Sequence, residues 1–454
     1  MYTGLIQQLD FGNHLINDFV PGEHNLVKLK KILDWEKMDE IYKECYKSKK
    51  GNATKNTNLV LGLFIIRHLY GKSYREIIDE LHVNISYMYF CSVSYDQIKE
   101  LNKKGRKIIT HSALIKIKGR MGSERFKKIL MVFINQLKEK KIIDGSYLFS
   151  DTTSLENHIL YPTDISLLKR VIEESEVIIQ KLSFKKDMVK TEIIKQANRL
   201  AKIYYSSSRK TKELAKTVCK DLLVIAEKSL KEATRVSQLK SMRNNLHIWT
   251  RFQKLDGVGK KIIEQTKLQI EDKKIEDRIV SYYEEHARSL PKGKVGKPLE
   301  FGTKLRIDMS KNGYVTNYKL YKGNPADVSM LEESINEHHE NYGTSFKAAA
   351  LDRGFYDEQK IIEYEEKYNI ILAIPHKKDR SKKLGRKKEK LYNKRSAIEA
   401  KISEGKRMCG LDKSLYKGFE GDEIWAALGI MTLNIRKLLR DIRKTPKLLY
   451  RLSS

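Results

Sequence analysis

The chain has 454 residues, 40% of them hydrophobic, which is long enough for two or three domains and too apolar for a disordered basic tail. Its 89 Lys and Arg against 58 Asp and Glu give a formal charge of +31, an excess that is costly as self-repulsion unless a polyanion relieves it. Nucleic acid is therefore the expected partner; an anionic membrane surface comes second, with no lipidation motif and no run of about twenty apolar residues to support it.

The first third reads as helix. "TNLVLGLFIIRHLYG" is apolar nearly all round and predicts a core helix closed by Gly71. "KSYREIIDELHVN" follows, with Ser73 as its cap and Glu76 three residues on, a capping box. A break at His82–Asn84 leads into "ISYMYF". Helix, tight turn and helix fit a helix-turn-helix, but the second helix carries no Arg or Lys, and an ordinary helical pair fits equally well. "SALIKIKGRMGSERFKKILMVFINQLKEKKII" continues the helical region.

At Gly145 the texture changes. "SYLFSDTTSLENHI" alternates and predicts a strand ending at Asp151 in polar residues. Thr163 and Asp164 read as helix caps. From there to about Asp272 the sequence is nearly continuous helix, and its Lys/Arg faces read first as solvated surface. Within it, "LDGVGKKIIEQ" has the shape of a helix-hairpin-helix turn in which Gly257 and Gly259 admit a phosphate. A plain glycine C-cap is the competing reading. His158 and His376 have no partner that the sequence identifies.

The last third alternates strands and helices. "SLPKGKVGKPLEFGTKLRIDMSKNGYVTNYKLYKGNPADVSML" reads as a basic linker, two strands joined at Lys311-Asn312-Gly313 and a helix start near Asp327. "SFKAAALDRGF" is a buried strand reaching Asp352; a helix, the strand "IILAIP" and a basic loop follow. In "YNKRSAIEAKISEGK", Tyr392, Arg395, Glu399 and Lys406 stand three, four and seven residues apart. On one helix those spacings share an azimuth, beside an apolar stripe of Leu391, Ile398, Ile402 and Cys409. Cys45, Cys91, Cys219 and Cys409 form no Cys-x-x-Cys pair, which argues against structural zinc and a secreted disulfide framework. The N-terminal stretch lacks the pattern of a signal peptide, so a soluble, cytoplasmic protein is expected.

With the long helical stretch set aside, the element order is that of an α/β RNase H-like fold, a mixed sheet flanked by helices with its first and fourth strands adjacent. Asp151, Asp352 and Glu399 would then converge from three separate elements. Crowded carboxylates repel one another, and divalent cations remove that penalty. Mg²⁺ prefers a few carboxylates plus water and phosphate, and two ions about 4 Å apart suit in-line displacement at a phosphodiester. Each residue alone also has a plain reading: Asp151 as an Asx turn, Asp352 as a surface turn, Arg395–Glu399 as an i,i+4 pair.

"SDTTSLENHILYPTD", "GKPLEFG", "LDRGFYDE" and the Tyr-x2-Arg-x3-Glu-x6-Lys (YREK) pattern together resemble bacterial insertion-sequence transposases of the DDE class. The resemblance runs from about Asp151 to Leu439 and more loosely over the helical N-terminal region. It implies a catalytic, metal-binding triad of Asp151, Asp352 and Glu399 holding two Mg²⁺ ions, with Mn²⁺ able to substitute. It implies that Tyr392, Arg395 and Lys406 hold transposon-end DNA: Arg395 forks two phosphate oxygens, Lys406 supplies a mobile charge, and Tyr392 bonds a phosphate or stacks on a base. Further DNA contacts are expected from Arg353, Lys294, Lys297, Lys377, Lys378, Arg386, Lys387 and Lys388. Where the family commonly has His-Asp, Ala326 precedes Asp327 here.

The implied activity is cleavage of transposon ends to free a 3′-hydroxyl, which is then joined to target DNA. The expected partners are double-stranded DNA (terminal inverted repeats and target) and a second copy of the chain, with no membrane and no zinc, in a bacterial cytoplasm and on the nucleoid when bound. The expected layout is an all-α DNA-binding or dimerisation region over 1–140, a catalytic domain over 141–164 and 293–441, a basic all-α insertion over 165–292 between the first two aspartates, and a basic tail over 442–454. The rivals are a catalytically silent DNA-binding descendant, which would usually have lost an acid, a metal-dependent nuclease on the same fold, and a helix-turn-helix regulator that leaves the strand-rich half unexplained.

Overall fold

A computed structural model describes residues 20–46, 54–182, 191–239, 245–294, 297–377 and 383–453. The chain divides into two compact units. One holds the residues up to Leu155 together with Lys304–Tyr321 and Pro325–Ser454; the other holds Glu156–Thr303 and Lys322–Asn324. Among the described residues no helix is long and apolar enough to cross a membrane.

In the first unit the N-terminal third is helical, as its patterning predicts. Thr57–Tyr70 is capped by Asn56 and buried along nearly its whole length. The Ser73–Glu76 capping box forms at the head of Tyr74–Leu81, and Asn84 caps Ile85–Phe90. The turn between that pair is pinned by buried His82, whose Nδ1 bonds Asn102 at 2.7 Å while Nε2 accepts the Ile108 N–H at 3.1 Å. The second helix of the pair has six residues and buries Tyr87, Met88 and Phe90. Phe64, Phe126 and Phe133 belong to one apolar cluster with Leu305, Ile307, Val315 and Ile430, so these helices share a core with the sheet and the Gly418–Lys444 helix.

The six strands are β1 (Tyr147–Glu156), β2 (Arg288–Lys294), β3 (Lys297–Ser310), β4 (Val315–Tyr321), β5 (Ala348–Leu351) and β6 (Ile371–Ala373). Their order is β2-β3-β1-β5-β6, with β4 also on β3. β1, β5 and β6 run parallel while β2, β3 and β4 pair antiparallel, so the sheet is mixed. The expected adjacency of the first strand and the strand before Asp352 is the β1–β5 ladder, Tyr147↔Ala348 to Ser150↔Leu351. The Asn312-Gly313 hairpin forms as well, with Gly313 at φ 84°, a region that glycine enters without strain.

Three expectations change. The stretch read as a basic linker is strand β2, because Arg288–Pro291 find antiparallel partners in Gly302–Leu299; the register shifts after Pro291, which has no N–H for the ladder. β1 does not end at Asp151 but runs on to Glu156, although its ladder to β5 stops at Ser150. Leu255–Gly259 is neither a hairpin turn nor a C-cap. It is a π-helical segment joining Leu246–Lys254 to Lys260–Ile270, which buries Leu255 and Val258 and keeps its backbone in helical geometry.

In the second unit, helices Asp164–Leu182, Glu192–Tyr205, Lys212–Leu239 and Lys260–Ile270 enclose a core that includes Leu168, Val171, Leu222, Ala226, Leu230 and Ile262. Thr163 caps the first of them as expected, accepting the Ser166 N–H at 3.1 Å; Asp164 is not a cap but the first residue of the helix, paired with Arg278 at 2.6 Å.

One ion-pair cluster ties the helix of Glu399 to the last long helix of the first unit. Glu404 on Ser396–Met408 pairs with Lys401 at 2.9 Å and with Arg440 of Gly418–Lys444. Burial raises the Glu404 pKa, but Arg440 and Lys401 outweigh it and hold the carboxyl down at about 2. A group depressed in the fold stabilises it above the ordinary carboxylate pKa, and that stability is lost as pH falls towards the folded value. Glu404→Gln is therefore expected to lower the melting temperature at pH 7, by a few degrees at most for a partly exposed pair. Melting curves between pH 7 and pH 3 check this: the gap to wild type begins to narrow below about pH 4.5 and is partly closed at pH 3.

Candidate active site

Side chains along a strand alternate between the two faces of a sheet, and this rule delivers two carboxylates to one place. Phe149 of β1, Ala348 and Ala350 of β5, and Ala373 of β6 lie in one apolar cluster with Leu391 and Ile398. Leu148, Ala349, Leu351 and Leu372 belong to the cluster on the other face. Asp151 is two residues beyond Phe149, and Asp352 is two beyond Ala350. Each therefore leaves the sheet on the face covered by the segment carrying Leu391 and Ile398, just past the last pair of the β1–β5 ladder. The small side chains of "AAAL" leave room for that segment to lie close.

The covering segment is not the single helix its spacing predicted. Arg386–Asn393 and Ser396–Met408 are separate helices, and Arg395 is the cap residue of the second. Arg395 N–H bonds the Tyr392 carbonyl at 2.8 Å and Ile398 N–H bonds the Arg395 carbonyl at 2.9 Å, both i→i+3, so the join is one tightened turn. Tyr392, Arg395 and Glu399 still face the same way.

Arg395 stands among the three acids. Its Nη1 is 3.0 Å from Asp151 Oδ2, and its Nη2 is 3.6 Å from Asp352 Oδ1 and 2.5 Å from Glu399 Oε1. Asp151 is the most enclosed of the three, Asp352 is half-exposed and Glu399 more open. Burial pushes the Asp151 carboxyl up to about 6, with Arg395 and the Thr152 N–H (2.7 Å) pulling the other way and Asp352 adding to the rise. Burial opposes the charge on Arg395, and the carboxylates, Asp151 first, overcome it and raise its pKa. The Tyr392 hydroxyl donates to Asp352 Oδ1 at 3.4 Å, and its ring lies 5.3 Å from the Arg395 guanidinium.

A second layer braces β1. Thr152 Oγ1 donates to Asp327 Oδ1 at 3.1 Å, and Lys304 pairs with the same carboxylate at 2.6 Å. The glycine of "LDRGF" is required by this arrangement, since a Cβ on Gly354 would sit 2.5 Å from Asp327 Oδ2. Behind Asp151, Ser150 donates to buried Asp308 at 2.6 Å. Asp308 pairs at 3.0 Å with Arg306, a fully buried cation that also meets Glu333 and Glu337. Sequence reading missed this network. The alternation Lys304, Arg306, Asp308 in β3 was its signal, three charged residues on one face of a strand whose other face is apolar.

The remaining basic residues spread out. Lys406 reaches Ser154 of β1 at 3.3 Å. Arg353, Lys377, Arg386 and Lys387 are exposed. Lys388 is paired with Glu365 at 2.7 Å. Lys294 and Lys297 are paired in the β2–β3 register. Lys378 lies outside the described residues. The His376 ring lies 4.5 Å from that of Tyr356, tilted by 54°, and His158 is exposed.

Among the described residues no three His, Cys, Asp or Glu side chains gather as a set able to hold a metal ion, for a guanidinium stands where the carboxylates meet. In type the donors nonetheless fit a hard divalent cation: they are carboxylates only, and a positive charge already occupies their point of convergence.

A family model described as a Transposase DDE domain matches residues 261–435, and one described as a Transposase domain (DUF772) matches residues 14–100. Asp352 and Glu399 fall inside the first match; Asp151 falls outside both. No curated protein and no solved structure matches the chain.

Proposed function

This chain belongs to the insertion-sequence transposases of the DDE class, enzymes that cut DNA and transfer strands, and from that premise we propose that Asp151, Asp352 and Glu399 form its catalytic centre on an RNase H-like domain. The observation that carries the reading is the convergence of these three acids, from β1, from the end of β5 and from the Ser396–Met408 helix, on the one guanidinium of Arg395. The three acids would hold Mg²⁺ or Mn²⁺, which when bound supplies the charge that activates an attacking oxygen and stabilises a leaving one, two ions serving both.

The chain's own residues do the rest. Thr152 N–H and the Asp327–Lys304 brace fix Asp151 and the strand that carries it. Tyr392 orients Asp352, and Arg395 neutralises the acids until another cation takes its place. Arg395, Tyr392 and Lys406, on the segment that covers the acids, would then meet the strand being cut. The substrate is a transposon-end inverted repeat, cut to free a 3′-hydroxyl that the same centre directs at a second phosphodiester. A homodimer on DNA brings the two ends together, the helical insertion of the second unit adds basic surface, and the complex works on the bacterial nucleoid.

The test is incubation of the protein with a duplex carrying the inverted repeat that flanks its gene, labelled at the 5′-end of the strand to be transferred. Nicking that requires Mg²⁺ or Mn²⁺, followed by the label appearing in a larger target molecule, is the expected result. Hydrolysis without joining would convict the nuclease reading instead.

A further inference from the structure

A buried arginine is normally neutralised by a carboxylate, because an unpaired charge away from water is expensive. Arg67 breaks this rule. It is 7% exposed, has no ion-pair partner among the described residues, and its Nε is buried without a hydrogen bond. Aromatic rings surround it: its guanidinium carbon lies 4.7 Å from the centroids of Tyr74 and Trp425 and 5.3 Å from that of Tyr416. A second cation joins it, for Lys118 Nζ lies 3.4 Å from the centroid of the Tyr416 ring, also without an ion-pair partner among the described residues. Burial lowers the Lys118 pKa to about 8 and Arg67 pushes it the same way, with Glu420 opposing. Glu420 is exposed, and its Oε1 accepts the Ser123 N–H at 3.2 Å.

Ring faces return part of the cost of burying a cation, about 0.5–2 kcal/mol each. They cannot cancel two like charges held side by side. Among the described residues no carboxylate forms an ion pair with either cation, and Glu420 acts on Lys118 only through space. The walls of the cluster are flat and aromatic, its Arg offers a fork of N–H donors, its Lys offers a point charge, and of the Tyr74 and Tyr416 hydroxyls, bonded to each other, one keeps its proton to donate. That donor set matches a tetrahedral oxyanion.

We propose that Arg67 and Lys118, walled by Tyr74, Tyr416 and Trp425, form a seat for a backbone phosphate of DNA, separate from the acids of the catalytic centre. The seat is built from the Thr57–Tyr70 and His111–Glu139 helices, the start of Tyr74–Leu81, and the chain from Tyr416 to Trp425. It rests on the reading that the chain works on DNA. It adds a fixed phosphate-binding point from the helical N-terminal region, where exposed lysines alone would give only diffuse attraction.

The experiment compares wild type with Lys118→Gln and Arg67→Lys in binding a short duplex of arbitrary sequence over a range of NaCl concentrations. Removing the charge that Lys118 offers a phosphate is expected to weaken binding about three- to tenfold at moderate salt and to reduce the slope of log K against log salt by about one. Arg67→Lys keeps the charge, loses the fork and weakens binding with little change of slope. In parallel, Lys118 is acylated at pH 8 and followed by mass spectrometry; duplex is expected to slow its labelling, while inorganic phosphate at the same phosphate concentration does not. An unchanged slope in Lys118→Gln overturns the proposal. So does a large fall in melting temperature with binding intact, which would make the cations packing elements only. Equal protection by inorganic phosphate would assign the seat to a free anion rather than to DNA. Failure of wild type to bind duplex at all would remove the functional premise instead, which keeps the two failures distinct.

Discussion

Asp151→Ala is expected to abolish metal-dependent cutting of the cognate end, by at least about 10³-fold, while duplex binding stays within a few-fold of wild type. Members of one catalytic set are not additive: losing one costs nearly as much as losing all. Adding Asp352→Ala to Asp151→Ala should therefore cost little more. Asp151 is the sharpest position to test because it is the most enclosed of the three acids and meets Arg395 directly at 3.0 Å. It also lies outside both family matches, so that only alternation along β1 and the β1–β5 pairing place it beside Asp352. Single-turnover nicking of labelled end DNA measures the loss, gel-shift assays measure binding, and a melting curve confirms folding. Cutting abolished in Asp352→Ala but retained in Asp151→Ala would keep the family and discard this acid.

The parts of the molecule that follow from local rules were legible in the sequence. The Ser73–Glu76 box, the Asn312-Gly313 hairpin and the Thr163 cap each depend on a few neighbouring residues, and each forms. The two aspartates were legible for a related reason, since period-two alternation carries Phe149 to Asp151 and Ala350 to Asp352 whatever lies between them. What was not legible depended on distant partners. Arg288–Lys294 is a strand only because β3 offers it an edge. Leu255–Gly259 stays helical because burying Leu255 and Val258 outweighs the breaking tendency of two glycines. Arg395 read as a phosphate ligand through the resemblance of the YREK pattern; that its first partners are the acids themselves follows from β1 and β5 arriving beneath it. The same limit hid Arg306 and Asp308, whose charges make sense only with Glu333 and Glu337 packed against them.

Removing Arg395 is expected to tighten Mn²⁺ binding to the DNA-free protein, by roughly tenfold, even as it cripples cutting. On the reading proposed above, the guanidinium and a divalent ion compete for the same three carboxylates, so an ion that binds must first displace a residue held at distances of 2.5 to 3.6 Å. A tenfold change corresponds to about 1.4 kcal/mol, a modest share of what a charge-assisted, partly buried set of hydrogen bonds supplies. Displacement is least costly when the freed fork has phosphate oxygens to bond. In wild type, then, DNA should tighten metal binding, and by linkage metal should tighten DNA binding by the same factor. In Arg395→Ala that coupling should fall towards one. Calorimetric titration of Mn²⁺ into each protein, with and without a non-cleavable duplex, measures all four corners of the cycle. Arg395→Lys keeps a cation but no fork, and should hold Mn²⁺ off without restoring the coupling. Weaker Mn²⁺ binding by DNA-free Arg395→Ala would sink the competition: the guanidinium would then be what gathers the acids, and the metal would need it in place.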